Sequence, residues 1–255
     1  MTKGPNLITT VDNAITILFV IGEQAGKSIR ELSSEVGISK STLHRTLQTL
    51  EHRGLVKQDR ETKTYSLGYS ILELASYLKD QIEINHIAYP FMKKLRDDVN
   101  ETIQLAVMNN ESILVVEALE GTNLMRMYSH PGETHAPMYG NFGKVFMSAL
   151  PDDQVLEMIE KFPLKQYGVN SITDSTQYLE ALNQVRIEGI ALGIDDPIDG
   201  AFSVAAPIYN RKNQVIASVA LVGAKTPNNL DNLIEIQDKL KEASNEITKK
   251  LKFHG

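Results

Sequence analysis

Residues 22–28, GEQAGKS, resemble the phosphate-binding loop of nucleotide hydrolases, in which backbone N–H groups and a lysine hold phosphates. That loop requires four residues between its glycines and a strand before them. Here only three residues intervene, and a helical pattern precedes them. We therefore predict a turn between two helices and no ATP binding: Gly26 forms the turn, Lys27 is exposed, and Ser28 caps the next helix.

Catalytic signals elsewhere are weak. The chain has no cysteine, and it lacks the G-x-S-x-G, H-E-x-x-H and C-x-x-C motifs of hydrolases, zinc proteases and redox proteins. His130 and His135 share a loop and could hint at a metal, but we interpret them as surface histidines. Asp195, Asp196 and Asp199 could include a catalytic carboxylate pair, although a solvated or ligand-binding turn is favoured. We expect no enzyme activity and no cofactor.

A stronger pattern lies in ISKSTLHRTLQTLEHRG, residues 38–54. Ser41, His44, Arg45 and Gln48 fall on the helix face opposite a leucine stripe, at Leu43, Leu47 and Leu50. Each side chain on the polar face can donate a hydrogen bond, and none is acidic. Such a face suits the DNA major groove, where Arg reads guanine and Gln reads adenine. An ordinary solvated helix face remains the alternative.

The neighbouring elements favour the DNA interpretation. Apolar spacing predicts a helix over residues 11–24, and Ser28 with Glu31 forms a capping box before a second helix that ends at Gly37. Ser39 then caps the polar-faced helix. Two short helices joined by a tight turn are typical of a helix-turn-helix.

A hairpin follows, with strands predicted at residues 55–58 and 64–67 around a charged turn. A hairpin directly after a recognition helix forms a wing, so residues 1–68 are predicted to be a winged helix-turn-helix domain that binds double-stranded operator DNA. The predicted DNA-contacting residues are Lys27, Ser39, Lys40, Ser41, Thr42, His44, Arg45, Gln48, Arg60 and Lys63.

Charge divides the 255-residue chain in the same way. Residues 1–68 carry a net charge of +2 and the remaining residues carry −8, which together give the net charge of −6. A mildly basic head on an acidic body indicates two domains with different roles. No apolar run approaches the roughly 18 residues of a membrane span, and no signal peptide is evident, so we expect a cytoplasmic protein.

The body reads as mixed helix and strand. Residues 69–84 are predicted to be a linker helix, and the helical pattern continues over 84–99 with Pro90 near a helix start. We predict strands at 102–108, 112–119, 124–128, 190–194, 203–209 and 215–222, with helices at 152–161, 176–188 and 230–251. The predicted fold class is therefore α/β in the α+β sense, with one central antiparallel sheet in residues 85–255.

The chain resembles the IclR family of bacterial transcriptional regulators over essentially its full length. Five segments resemble family motifs and occur in the same order as in the family. They are IRELSSEVGISKSTLHRTLQTLEHRGLV, YSLG, PMYGNFGKVFMSALP, ITDSTQYLEALNQVRIEGIAL and VAAPIYNRKNQVIASVALVG. The resemblance implies a GAF-like C-terminal domain that binds a small effector, often an organic acid, between the glycine-containing segment and the sheet. The implied effector-binding residues are Met125, Gly140, Asn141, Phe142, Gly143, Asp195, Ser203, Ala220 and Val222.

This chain departs from the family pattern in the implied pocket. The segment between Pro137 and Gly143 is one residue short, and Ser203 stands where cysteine is frequent. Ala220 and Val222 replace two positions that are often serine. Because hydroxyl donors are lost, we expect a different or bulkier effector than pyruvate or glyoxylate.

Together these patterns predict a ligand-responsive, sequence-specific regulator, a homodimer or a tetramer, that controls a small-molecule catabolic operon. The alternative is a sensor or enzyme body with an accessory DNA-binding head.

Overall fold

A computed structural model describes residues 7–81, 83–124 and 126–254. The chain forms two compact units, Met1–Ile82 and Glu83–Gly255. Helices dominate the first unit, and a six-stranded antiparallel sheet with helices organises the second, so the predicted α+β class is confirmed. Among the described residues, no helix is long and apolar enough to cross a membrane.

Three helices form the core of the first unit: α1 (Thr9–Glu23), α2 (Ile29–Val36) and α3 (Lys40–His52). Each helix contributes apolar side chains with almost no exposed surface, because each carries them at the three-to-four-residue spacing of a single helix face. The fully buried members are Ile17, Ile21, Leu32, Leu43 and Leu47. The predicted leucine stripe of α3 therefore faces this core.

The capping box predicted at the start of α2 is confirmed. The Ser28 side chain accepts a hydrogen bond from the Glu31 backbone N–H at 3.4 Å, and the Ser28 N–H donates to Glu31 Oε2 at 2.8 Å. These bonds lower the pKa of Glu31, with the Ser28 backbone donor as the largest cause. Gly37, at φ 73°, ends the helix in the left-handed conformation that glycine adopts without strain.

Replacing Ser28 with alanine should lower the free energy of unfolding by about 1 kcal/mol, because the first turn of α2 loses its cap. Urea unfolding of the full chain, followed by circular dichroism, measures this loss. Ser34→Ala, on the exposed part of the same helix, should change stability by less than about 0.5 kcal/mol. Equal losses in the two variants would contradict the capping role.

A short hairpin follows α3, with β1 (Val56–Gln58) paired antiparallel to β2 (Tyr65–Leu67). Asp59 Oδ1 fixes the connecting turn because it accepts hydrogen bonds from the N–H groups of Glu61 and Thr62 at 2.9 and 2.8 Å. The predicted wing is therefore present, and its charged tip is exposed.

Two helices follow the hairpin, α4 (Ser70–Gln81) in the first unit and α5 (Glu83–Val99) in the second. The prediction that Pro90 lies near a helix start is wrong, because Pro90 lies in the interior of α5. The domain limits 1–68, 69–84 and 85–255 remain predictions.

The sheet of the second unit has the strand order β5-β4-β3-β8-β7-β6, and all its pairs are antiparallel. The strands are β3 (Thr102–Asn109), β4 (Ser112–Leu119), β5 (Thr134–His135), β6 (Ala191–Ile194), β7 (Ala201–Tyr209) and β8 (Val215–Ala224). Alternate residues of β7 and β8 therefore point to opposite faces, so Ser203, Ala220 and Val222 share one face of the sheet.

The strand predicted over residues 124–128 is wrong. Leu124 is fully exposed. The Met127 carbonyl accepts its hydrogen bond from the Thr102 side chain and not from the backbone N–H of a neighbouring strand. The edge of β4 pairs with β5, where Ile113 lies opposite His135. Residues 126–128 thus belong to the connection between β4 and β5.

Helices cover both faces of the sheet. One face packs on α5 and α10 (Leu233–His254), and the other on α6 (Gly140–Ser148), α7 (Asp152–Lys161) and α8 (Ser175–Glu188). The closing helix predicted over 230–251 is two helices, because α9 (Pro227–Asp231) ends at Asn232 before α10 begins. The α6 side carries the segment implied in effector binding.

Candidate functional site

The exposed face of α3 has the composition that the sequence predicts. Ser41, Thr42, His44, Arg45 and Gln48 are exposed, while Leu43, Leu47 and Leu50 are buried beneath them. The Ser39 side chain caps α3 and accepts a hydrogen bond from the Thr42 N–H at 3.2 Å. The donors on this face are therefore held on a rigid helix anchored in the core.

Of the predicted DNA-contacting residues, four lysine and arginine side chains are exposed: Lys40, Arg45, Arg60 and Lys63. None of them forms a salt bridge with another described residue. Arg60 and Lys63 lie in the turn between β1 and β2, with Lys63 at φ 58°. A single polyanionic partner could neutralise helix and wing cations together.

The prediction that Lys27 is exposed is wrong. Its side chain is only 12% exposed, and its Nζ lies 2.6 Å from Glu35 Oε2. The backbone of Lys27 also pairs with Tyr65, which holds this residue beside the hairpin. Lys27 therefore joins elements of the first unit, and its ion pair competes with any phosphate contact.

In the second unit, a cavity of about 70 Å³ opens between α6, the sheet and the loop after β6. Six of the predicted effector-binding residues lie in its wall: Gly140, Asn141, Phe142, Ser203, Ala220 and Val222. Met125 falls outside the described residues. That an effector contacts these residues remains a prediction.

The N-terminus of α6 faces this cavity without a side-chain cap. The Tyr139 carbonyl accepts a hydrogen bond from the Gly143 N–H, so the N–H groups of the first three helical residues have no partner within the helix. Gly140 has φ 52°, and a Cβ there would lie 2.9 Å from Pro197 Cδ. Glycine thus brings backbone donors close to the cavity, where an anionic group would be stabilised.

Gly143 and Asp195 do not line the cavity. A Cβ on Gly143 would lie 2.6 Å from the backbone carbon of Met138, so this glycine permits tight packing. Asp195 forms an ion pair with Lys225 and accepts a hydrogen bond from the Gly200 N–H at 2.8 Å. The Lys225 hydrogen bond, followed by that of Gly200, lowers the pKa of Asp195. Asp195 therefore fixes the loop after β6.

Behind the cavity wall lies a buried ion pair. Lys144 Nζ donates to Asp196 Oδ2 at 2.7 Å and to Asn141 Oδ1 at 3.1 Å. The Lys144 and Asp196 side chains are 9% and 8% exposed. Asn141 Nδ2 in turn donates to the carbonyl and hydroxyl oxygens of Ser203 at 2.8 Å. This chain of contacts ties α6 to β7 and to the loop after β6.

Sequence reasoning missed the other polar members of the cavity wall, Gln104, Tyr128, Glu133, His135 and Tyr139. His135 is not a surface histidine: its side chain is 14% exposed and stacks on Tyr139, with 4.2 Å between ring centroids. Among the described residues, no group of three or more His, Cys, Asp or Glu could hold a metal ion.

Comparison with known proteins matches both units. Residues 10–60 match the IclR helix-turn-helix domain, and residues 75–249 match the bacterial transcriptional regulator IclR C-terminal domain. The chain is 28% identical to the HTH-type transcriptional regulator KipR of Bacillus subtilis, over 96% of this chain and 97% of KipR.

Solved structures show the same fold. An IclR regulator from Alicyclobacillus acidocaldarius superposes with a TM-score of 0.86 at 21% identity, covering 96% of this chain and 99% of that one. An IclR homologue from Microbacterium hydrocarbonoxydans, complexed with 4-hydroxybenzoate, superposes with a TM-score of 0.81 at 20% identity, covering 95% and 98%. The chain belongs to the IclR family of bacterial transcriptional regulators, with a DNA-binding helix-turn-helix head and an effector-binding C-terminal domain, and is not an enzyme.

Proposed function

We propose that α3 reads operator bases with Arg45 and Gln48, while Lys40, Arg60 and Lys63 contact phosphates. The observation that carries this proposal is the exposed set Ser41, His44, Arg45 and Gln48 on α3, each able to donate a hydrogen bond and all opposite the buried leucine stripe. The acid of α3, Glu51, accepts a hydrogen bond from the Gln58 N–H at 3.3 Å. His44, Ser41, Thr42 and Ser39 supply further contacts on the same helix. Base-edge contacts give specificity, and phosphate contacts give affinity and register.

We further propose that the protein acts as a homodimer on a palindromic operator. Large apolar side chains at Ile8, Val11, Ile15 and Phe19 recur along one side of α1 and are 49–73% exposed. A soluble chain rarely exposes such a stripe unless it is covered by a partner. A second copy is the simplest occupant, because paired heads place two recognition helices on neighbouring half-sites. A tetramer would pair two such dimers.

Replacing Phe19 with glutamate should raise the dimer dissociation constant by about tenfold or more, because a charge would be buried in the interface. Sedimentation velocity over a concentration series measures this constant. Ile187→Glu on α8 is a matched control, since Ile187 is 71% exposed and Phe19 is 70% exposed. If the dimer dissociation constant of Phe19→Glu equals that of the unchanged protein, the dimer interface lies elsewhere.

The cavity beside α6 is proposed to bind a small organic acid whose carboxylate meets the free N–H groups of Gly140, Asn141 and Phe142. The homologue solved with 4-hydroxybenzoate supports a carboxylate ligand in this family. A volume of about 70 Å³ favours an effector with few non-hydrogen atoms. The expectation from the missing serines, a different or bulkier effector than pyruvate or glyoxylate, stays a prediction.

Footprinting on the DNA upstream of the chain's own gene tests the regulatory role. At physiological salt concentration we expect one protected site with two half-sites. The logarithm of the binding constant should fall linearly with the logarithm of the salt concentration, with a slope of roughly −0.9 for each phosphate contact. A small molecule that is metabolised by enzymes of a neighbouring catabolic operon should change the affinity of the protein for its operator. Protection of every sequence alike would contradict specific reading by α3.

A further inference from the structure

The charge of the cavity wall is unusual for a pocket that takes an organic acid. Of the described residues that line the cavity, Glu133 alone carries a formal charge, and none is lysine or arginine. A ligand with only a carboxylate would therefore enter a pocket whose one fixed charge repels it. The backbone donors of α6 can hold a carboxylate, but they do not balance Glu133.

The Glu133 carboxylate is held in place, and it forms no salt bridge with a lysine or arginine among the residues that the structure describes. Its Oε2 accepts a hydrogen bond from Ser129 Oγ at 3.0 Å, and its Oε1 lies 3.3 Å from His135 Nε2. Burial lowers the pKa of His135, and the attraction of Glu133 opposes this shift as the smaller effect. A neutral imidazole leaves the negative charge of Glu133 free to attract a ligand cation.

Aromatic rings surround the same space. Tyr128, His135, Tyr139 and Phe142 all line the cavity. Tyr139 stacks on His135 with 4.2 Å between ring centroids, and the Tyr167 ring lies nearly perpendicular to it at 5.0 Å. A carboxylate together with the faces of aromatic rings is the usual protein environment of an ammonium group, because both attract a cation.

We propose that the effector is a small zwitterion, an amino acid or betaine, whose ammonium group binds Glu133 and the tyrosine rings. The carboxylate of the same molecule occupies the N-terminus of α6. The proposal rests on the effector role proposed above for this cavity, and it narrows the effector from organic acids in general to those that carry an amine. Such a ligand is neutral overall and matches the positive and negative ends of the cavity.

Calorimetric titration of the full-length protein tests this class with matched probes. Glycine, alanine, β-alanine and glycine betaine carry the ammonium group; acetate, propionate, glycolate and lactate do not. We expect at least one ammonium probe to bind ten times more tightly than its partner without nitrogen. Glu133→Gln should weaken that probe at least tenfold, whereas Glu157→Gln on exposed α7 should leave it unchanged.

Two results would overturn the proposal: binding of acetate or lactate as tight as that of the ammonium probes, or no ammonium probe binding at all. Thermal unfolding of Glu133→Gln without ligand separates a lost contact from a misfolded pocket, since a well-folded variant keeps the wild-type midpoint. An ammonium probe that binds through Glu133 but leaves operator affinity unchanged would refute the effector role and leave the ligand class standing.

Discussion

Replacing Lys144 with methionine should lower the free energy of unfolding of the second unit by about 3–5 kcal/mol. The Lys144 Nζ is 2.7 Å from Asp196 Oδ2, and both side chains are less than a tenth exposed. Asp196 Oδ1 also accepts a hydrogen bond from Ser171 Oγ at 2.7 Å, which cannot compensate a full charge. The variant would therefore bury an unpaired carboxylate behind the cavity beside α6.

Urea unfolding of the full chain, with hydrogen exchange to separate the two units, measures this loss. Lys161→Met is the matched control, because Lys161 forms an ion pair with Glu111 in which both side chains are more than half exposed. Exposed pairs contribute about 0–1 kcal/mol. The double variant Lys144→Met, Asp196→Leu should recover most of the loss, since an apolar pair replaces a buried ion pair at little cost. A loss below about 1 kcal/mol for Lys144→Met would show that water reaches Asp196.

Local sequence signals were sufficient for the head. The capping box of Ser28 and Glu31, the left-handed Gly37 and the leucine stripe of α3 each depend on residues within one or two helical turns. Such features follow from backbone donors and helix periodicity alone, which is why the order of three helices and a hairpin is confirmed. Lys27 was misjudged because its partner, Glu35, lies eight residues further along the chain, near the C-terminal end of α2.

The cavity beside α6 depends on contacts that no local pattern contains. Lys144 and Asp196 are 52 residues apart, and Asn141 meets Ser203 across 62 residues. The glycine-containing segment pointed to α6, and six of the residues implied with it line one cavity against β7 and β8. It could not reveal that β5 replaces the strand predicted over 124–128, and that replacement brings Glu133 and His135 to the cavity.

Replacing Arg45 with alanine should weaken operator binding by about 1–3 kcal/mol per half-site and remove the preference for the base that Arg45 reads. Arg45 is exposed on α3 and has no salt bridge to any described residue, so its guanidinium keeps its donors for DNA. If two heads bind one palindrome, the loss is about doubled, which makes Arg45 the most sensitive position on the proposed DNA surface.

Fluorescence anisotropy at one fixed salt concentration, with operator and scrambled duplexes, separates base reading from phosphate binding. Arg45→Ala should affect the operator far more than the scrambled duplex, and Arg45→Lys should recover little of the specificity because an ammonium cannot form the two-pronged contact to guanine. Lys63→Ala at the wing should weaken both duplexes alike and reduce the salt slope by about 1. Equal losses on both duplexes for Arg45→Ala would assign Arg45 to the phosphates and move base reading to Gln48 and His44, its neighbours on the exposed face of α3.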